Sequence, residues 1–327
     1  LFMRISGVQL SHNILNASHL RAQLHEHVDS VLDFKPIALS DIGTVRKFRG
    51  YNSYRTCDYT LGGIFMWVDY FNYEYSIIED TMFIKGISEN HPGLVAFSLP
   101  LGSMPLSRSV ALILHYCRNH GIRPTFSAIP ADVAVGVADE CGGRVEKLDG
   151  WGDYLYDAKS LATLQGKAYS KKRNHVNRFL SENPGYRFEK LDSTNIAEVF
   201  DFLAEVDVSE KADRAMAAYE LSQCNDVLAN LDVYGFDGAL LRSQSGDVCA
   251  MTLGEVVGDT LYVHVEKMNH DVAGAGETIN KLFAENMVSR YAGLRYINRE
   301  EDMNDEGLRF AKESYHPVAI LDKCNVL

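Results

Sequence analysis

Hydrophobic positions fall in short clusters from Phe34 onward, and their spacing switches between two periods. Residues 64–67, 75–78, 82–84 and 94–97 are brief apolar runs with Asn, Asp, Gly and Pro between them, which predicts strands. From Ser107 the period turns helical. Val110, Ile113, Leu114 and Cys117 share one face as far as Asn119, and Gly121 ends the helix. Residues 124–129 read as a strand, 131–141 as a helix and 144–148 as another strand.

After Trp151 the order repeats. A helix is expected over 195–206, with Ile196, Val199, Phe200 and Leu203 in register. Strands follow at 236–242, 248–257 and 260–266, joined by a Ser-Gly-Asp turn and by Gly258-Asp259, as in an antiparallel meander. A loop holding Gly274, Ala275 and Gly276 leads into a helix at 277–291. A strand at 294–298, a helix at 306–314 and a strand at 318–321 complete the chain. Each half thus reads as meander, helix, strand, helix, strand. The expected fold is α/β, of the α+β kind: a tandem duplication with mixed central sheets flanked by helices. The pattern resets near 151–165, which divides the chain into an extension (1–33), a first domain (34–158) and a second domain (159–327).

Composition narrows the class. The chain has 327 residues, 46% hydrophobic and 23% charged, which is globular. A net charge of -12 excludes nucleic-acid binding through bulk positive charge and demands a local basic patch instead. No apolar stretch approaches the ~18 residues of a membrane span. The first residues lack the basic and apolar regions of a signal peptide, and Leu1 is not an initiator methionine. Six scattered cysteines form no CxxC pair, so reduced thiols and a cytoplasmic setting are expected. His12, His19, His25 and His27 have no acidic or Cys partners at ligand spacing, so no metal site is expected.

Three segments could carry chemistry. In the first, alternation over 261–266 puts Leu261, Val263 and Val265 on one strand face and Tyr262, His264 and Glu266 on the other. The small residues Gly274, Ala275 and Gly276 follow, where backbone N–H groups at a helix start suit a pyrophosphate. A tight loop would need the same residues. The second is a basic run, Lys167, Lys171, Lys172, Arg173 and Arg178, able to meet phosphates or simply to face solvent. The third is a strand end at Asn298 that runs into clustered carboxylates, Glu300, Glu301 and Asp302, followed by a helix bearing Arg309 and Lys312 and then Tyr315. It suits general-base work or recognition of an amine, or it is a capped, salt-bridged helix.

The meander, Gly-rich turn, helix, strand, helix and strand resemble the GNAT acyltransferase fold. The only comparable turn in the first half is Gly102-Ser103, so that copy is expected to lack a donor site. The segments from Gly166 to Phe179 and from Asn298 to Pro317 resemble a DUF2156-type bacterial family, similar to the C-terminal domain of phosphatidylglycerol lysyltransferase. Cys57, Asp58, Tyr59, Thr60 and Trp67 fit it too, and the resemblance covers roughly 34–327. That family looks like tandem GNAT folds related to the Fem peptidyltransferases.

The resemblance implies transfer of an acyl or aminoacyl group, from acyl-CoA or aminoacyl-tRNA, to an amine or hydroxyl acceptor. The lysyltransferase's acceptor is a lipid, but this sequence shows no membrane-spanning part. On this reading Glu266 and Glu301 are candidate bases, Tyr315 a candidate acid and His264 a further catalytic candidate. Gly274, Ala275 and Gly276 would bind the donor, and Lys167, Lys171, Lys172, Arg173 and Arg178 would meet its phosphates. Asn298, Glu300, Asp302, Arg309, Lys312 and Trp67 would bind substrate. The competing reading is a non-catalytic module holding a small anion or peptide between the halves. A nicotinamide site is disfavoured, because Ile279 stands where the third Gly of GxGxxG belongs.

Overall fold

The computed structural model describes residues 31–51, 53–88, 90–91, 93–206 and 214–327. In chain order the first elements are β1 (Lys35–Pro36), α1 (Ile42–Val45), α2 (Leu61–Phe65), β2 (Glu74–Ile78), β3 (Thr81–Ile87), β4 (Val95–Phe97), β5 (Leu101–Gly102), α3 (Leu106–His120), β6 (Phe126–Pro130), α4 (Ala131–Cys141) and β7 (Val145–Lys147). There follow β8 (Asp153–Asp157), α5 (Ala158–Thr163), α6 (Ser170–Glu182), β9 (Arg187–Lys190), α7 (Ile196–Ala204), α8 (Arg214–Ala229), α9 (Leu231–Tyr234) and β10 (Asp237–Arg242). The last are β11 (Val248–Val257), β12 (Thr260–Met268), α10 (Ala275–Arg290), β13 (Tyr296–Asn298), α11 (Glu306–Glu313), β14 (Ala319–Leu321) and β15 (Lys323–Val326).

Two mixed sheets result. The first runs β1-β2-β3-β4-β6-β15-β7, with β5 beside β3, and the second runs β14-β8-β13-β12-β11-β10-β9. Each is an antiparallel meander continued by one parallel neighbour across a helix: β4 with β6 around α3, and β12 with β13 around α10. This is the duplication expected from the sequence, and it is a tandem GNAT-like fold.

The repeats also trade strands. Strand β8 follows β7 but lies between β13 and β14 of the second sheet. Strand β15 follows β14 but lies between β6 and β7 of the first. The exchange is reciprocal, so β8 falls before residue 158 yet belongs to the second sheet, and the chain's final strand belongs to the first.

The cores follow from these layers. Leu240, Met251, Leu253 and Val265 turn one face of the second sheet towards the first repeat, where they join Ile64, Phe83, Phe97 and Ile113. Leu241, Ala250, Leu261 and Val263 turn the other face to α5, α6 and α10.

Two local expectations fail for physical reasons. Residues 64–67 were expected as a strand, but Leu61–Phe65 is a helix. The Thr60 side chain caps it by accepting a hydrogen bond from the Gly63 N–H, and Leu61, Ile64 and Phe65 are all buried. A short apolar run does not tell helix from strand by period alone. The second failure is the alternation along β12. Leu253 pairs with Val265 and Gly254 with Val263, so His264 is an extra residue in the ladder. This bulge reverses the faces beyond it. Val265 joins the core shared with the first repeat, Val263 the opposite core, and Glu266 reaches Asn280 on α10.

Candidate active site

Strands β12 and β13 pair only from Thr260–Tyr296 to Tyr262–Asn298 and then part. The bulge divides the side chains at this opening between two faces.

On the face towards the first repeat, His264 is buried between two carboxylates. Its Nδ1 lies 2.7 Å from Glu300 and its Nε2 lies 3.2 Å from Glu255. Burial alone would push the imidazole down, but the bonds to Glu255 and Glu300 outweigh it and raise its pKa to about 9. His264 is therefore an imidazolium at neutral pH, with neither nitrogen free. Glu255 also accepts from Arg49 Nη1 (2.9 Å) and from the Gly62 N–H (3.0 Å), tying β11 to the first repeat. A Cβ on Gly62 would fall 2.4 Å from the His264 ring, so only glycine admits this approach.

Beside it lies a second buried cluster. Lys323 Nζ stands 2.7 Å from Asp153, 2.9 Å from Asp58, 3.5 Å from Glu301 and 3.4 Å from Cys57 Sγ. Cys57, Asp153 and Glu301 group like metal ligands, but the cation among them is the lysine's own ammonium. Burial opposes its charge, yet the surrounding carboxylates hold its pKa well above the usual lysine value. Asp153 also accepts from the Cys57 N–H (2.6 Å) and Asn298 Nδ2 (2.8 Å); burial pushes its pKa up, but Lys323 and these hydrogen bonds together hold it below the normal value. Glu301 behaves oppositely. Burial is the largest influence, Lys323 only partly offsets it, Asp153 and Glu300 add to it, and its pKa rises to about 8.

These groups floor a cleft lined by Cys57, Asp58, Gly63, Trp67, Phe71, Tyr73, Trp151, Glu300, Glu301 and Met303. Its turn is rigidly built. Glu300 has a φ of 58°, and its N–H donates to Asn298 Oδ1 at 2.7 Å. Lys312 is buried below and donates to the carbonyls of Arg299 (2.6 Å) and Glu301. Burial lowers its pKa. Asp302 takes the Tyr154 hydroxyl (2.7 Å) and a bidentate contact from Arg309 (2.9 and 2.8 Å). Asn298, Lys312, Asp302 and Arg309 thus shape the turn, while Trp67, Glu300 and Glu301 face the cleft.

The helix side of the opening holds Glu266, Arg299, Lys172 and Tyr315. Glu266 accepts from Arg299 Nη2 at 2.8 Å and Asn280 Nδ2 at 3.3 Å. Lys172 lies 4.0 Å over the Tyr315 ring and 3.5 Å from Glu277, and Arg299 lies 4.9 Å from the same ring. Burial lowers the Lys172 pKa and raises that of the Tyr315 phenol. Glu301 and His264 therefore sit on one side of β12 and β13, and Glu266 and Tyr315 on the other.

The glycine loop is covered. Gly274 has a φ of 78°, and a Cβ there would lie 2.2 Å from the His175 carbonyl of α6. A Cβ on Gly276 would meet Met268 at 2.9 Å, and Ala275 is buried. Of the basic run, Arg173 donates to the carbonyls of Leu164 and Gly166, and Arg178 pairs with Glu182. Lys167 and Lys171 are exposed. The N-terminal histidines lie outside the described residues. Sequence reading passed over Glu255, Asp153, Lys323, Arg299 and Trp151. Lys323 lies 266 residues from Cys57 and Asp153 lies 96 from it, so no local pattern marks them, whereas Glu255 meets His264 only nine residues on.

The two sheets, with the opening between β12 and β13, make a tandem GNAT-like fold. The profile of the family described as phosphatidylglycerol lysyltransferase, C-terminal, matches residues 50–323, and the chain belongs to that family. A conserved protein of unknown function from Bacteroides thetaiotaomicron is 28% identical with a TM-score of 0.81, over 90% of this chain and 99% of that one. L-PGS from Bacillus licheniformis is 15% identical with a TM-score of 0.62, over 89% and 92%. The DUF2156 domain of an Agrobacterium fabrum protein designated lysylphosphatidylglycerol synthetase is 15% identical at 0.61, over 88% and 92%. At that identity the last two speak for the fold. No curated protein sequence matches the chain. Among the described residues no helix is long and apolar enough to cross a membrane.

Proposed function

We propose that the protein is an aminoacyltransferase that moves an aminoacyl group from an aminoacyl-tRNA to a hydroxyl or amine acceptor. The observation that carries this reading is the cleft in which Trp67, Phe71, Tyr73 and Trp151 stand around Asp58, Glu300 and Glu301. Aromatic faces and carboxylates together favour an ammonium group, and every aminoacyl donor carries one. With the ammonium there, the ester carbonyl falls at the opening between β12 and β13.

The acceptor oxygen or nitrogen attacks the ester carbon, and the carbon–oxygen bond to the ribose breaks. The acceptor's proton passes to a carboxylate, Glu301 or Glu266, and that carboxyl returns it to the leaving ribose oxygen. No covalent intermediate on the protein is required. His264 touches carboxylates at both nitrogens and acts as a positioning residue for Glu300.

Two observations favour tRNA over acyl-CoA. The His175 carbonyl packs against Gly274, where a pyrophosphate would need access to the backbone. Lys167 and Lys171 stand exposed around the start of α6 on an otherwise acidic protein. The family's name makes phosphatidylglycerol the first acceptor to try.

The test supplies tRNA charged with labelled amino acids, or labelled acetyl-CoA, with phosphatidylglycerol vesicles or soluble amines. Label should leave the tRNA and appear in an acceptor, and Glu301→Gln should slow it at least tenfold. Transfer from acetyl-CoA alone would replace the donor assignment. Binding of amino-acid amides without transfer from any donor would leave a binding module and end the enzymatic reading.

A further inference from the structure

We infer that, in the empty site, Glu301 carries a proton that it releases to solvent when a ligand's ammonium group enters the aromatic cleft. This rests on the amine-binding reading of the cleft.

The buried cluster holds more carboxylates than cations. Asp58, Asp153 and Glu301 offer three carboxylates, and among the described residues Lys323 Nζ is the one cation within 3.5 Å of all three. Lys323 and Asp153 are wholly buried. Unbalanced buried charge is costly, and a carboxyl relieves it by keeping its proton. The geometry selects which one. Asp153 takes the shortest lysine contact, 2.7 Å, and two further hydrogen bonds from Cys57 N and Asn298 Nδ2. Glu301 has the longest lysine contact, 3.5 Å, and its other near neighbour is the Cys57 thiol, also at 3.5 Å.

Among the described residues no other cation satisfies Glu301. Lys312 spends its ammonium on the backbone carbonyls of Arg299 and Glu301. Glu300 beside it is a further anion, whose partner is His264, itself shared with Glu255. Arg49 is committed to Glu255. Glu301 nevertheless lines the cleft, so a bound ammonium would reach it. The new charge does what Lys323 does not, and the carboxyl ionises. In balance, Glu301–COOH and R–NH3+ give Glu301–COO− paired with R–NH3+, and one proton goes to water.

Isothermal titration tests this with N-acetyl-lysine methylamide and with tetramethylammonium, whose charges do not change below about pH 9. Repeating each titration in buffers of different ionisation enthalpy counts the protons. Close to one proton should be released per ligand at pH 7, falling towards none at pH 9.5. Affinity should rise by up to about tenfold per pH unit below pH 8 and then level off. Glu301→Gln should still bind, with no proton released and no such pH slope. Binding by the natural protein without proton release overturns the inference and leaves the amine cleft standing. No binding by either probe overturns both. Carbon-13 resonances of the glutamate carboxyls, compared with those of Glu301→Gln, give a check independent of ligand. A Glu301 midpoint near 4.5 would also overturn the inference.

Discussion

Asp153 and Lys323 hold the same place in two reciprocally exchanged strands, and their side chains meet at 2.7 Å in the protein interior. Each is the first residue of its strand, β8 or β15, and each strand crosses to the other repeat's sheet. The ion pair therefore sits where the two crossovers pass. It ties the repeats together and forms the floor of the cleft.

Lys323→Met should destabilise the fold by about 3–5 kcal/mol, because Asp58, Asp153 and Glu301 would lose their common cation. Urea unfolding would measure it. Adding Asp153→Asn should return part of the loss, since the double variant buries less unpaired charge. Strictly additive losses would mean that the pair is not coupled.

Gly62→Ala should cost about 1–3 kcal/mol, as its Cβ would fall 2.4 Å from the buried His264 ring. Gly43→Ala is the control, because nothing lies within 4 Å of a Cβ there. Equal denaturation midpoints for the two variants would show that His264 yields without cost.

His264 sets a stability term with a defined sign. Its folded pKa of about 9 exceeds the ordinary histidine value of 6.5. The term is thus fully present below pH 6.5 and is lost as pH rises through 9. Its upper limit is about 3 kcal/mol. The gap in unfolding free energy between the natural protein and His264→Gln should therefore be larger at pH 6 than at pH 9.5. A constant gap across that window would refute the charged assignment.

Gly274→Ala should destabilise by about 2–4 kcal/mol, from the left-handed φ of 78° and the His175 carbonyl 2.2 Å from the added Cβ. Gly293→Ala, with open space at its Cβ, should be nearly neutral. A full-stability Gly274→Ala protein would mean that α6 does not press on the loop.

Much of this was legible in one dimension. Helix 131–141 and strand 248–257 appear as their periodicity predicts. The turn at 298–302, which brings Glu300 and Glu301 to the candidate cleft, was visible as a strand ending in carboxylates, a local pattern. Helix Leu61–Phe65 was not legible, since five residues cannot declare a period. Strand β15 was not either, since its partners lie some two hundred residues earlier.

The sequence by itself determined the duplicated order of elements, the meander before each crossover helix and the family to which the chain belongs. Those properties live in local spacing and in motifs, which survive without knowing any contact. Tertiary structure alone decided which residues share a site. The one-residue bulge at His264 placed Glu266 and His264 on opposite faces, because a strand's side chains alternate and one extra residue inverts all that follow. The strand exchange then brought Lys323 to Asp153, since a buried carboxylate demands a partner wherever in the chain that partner lies.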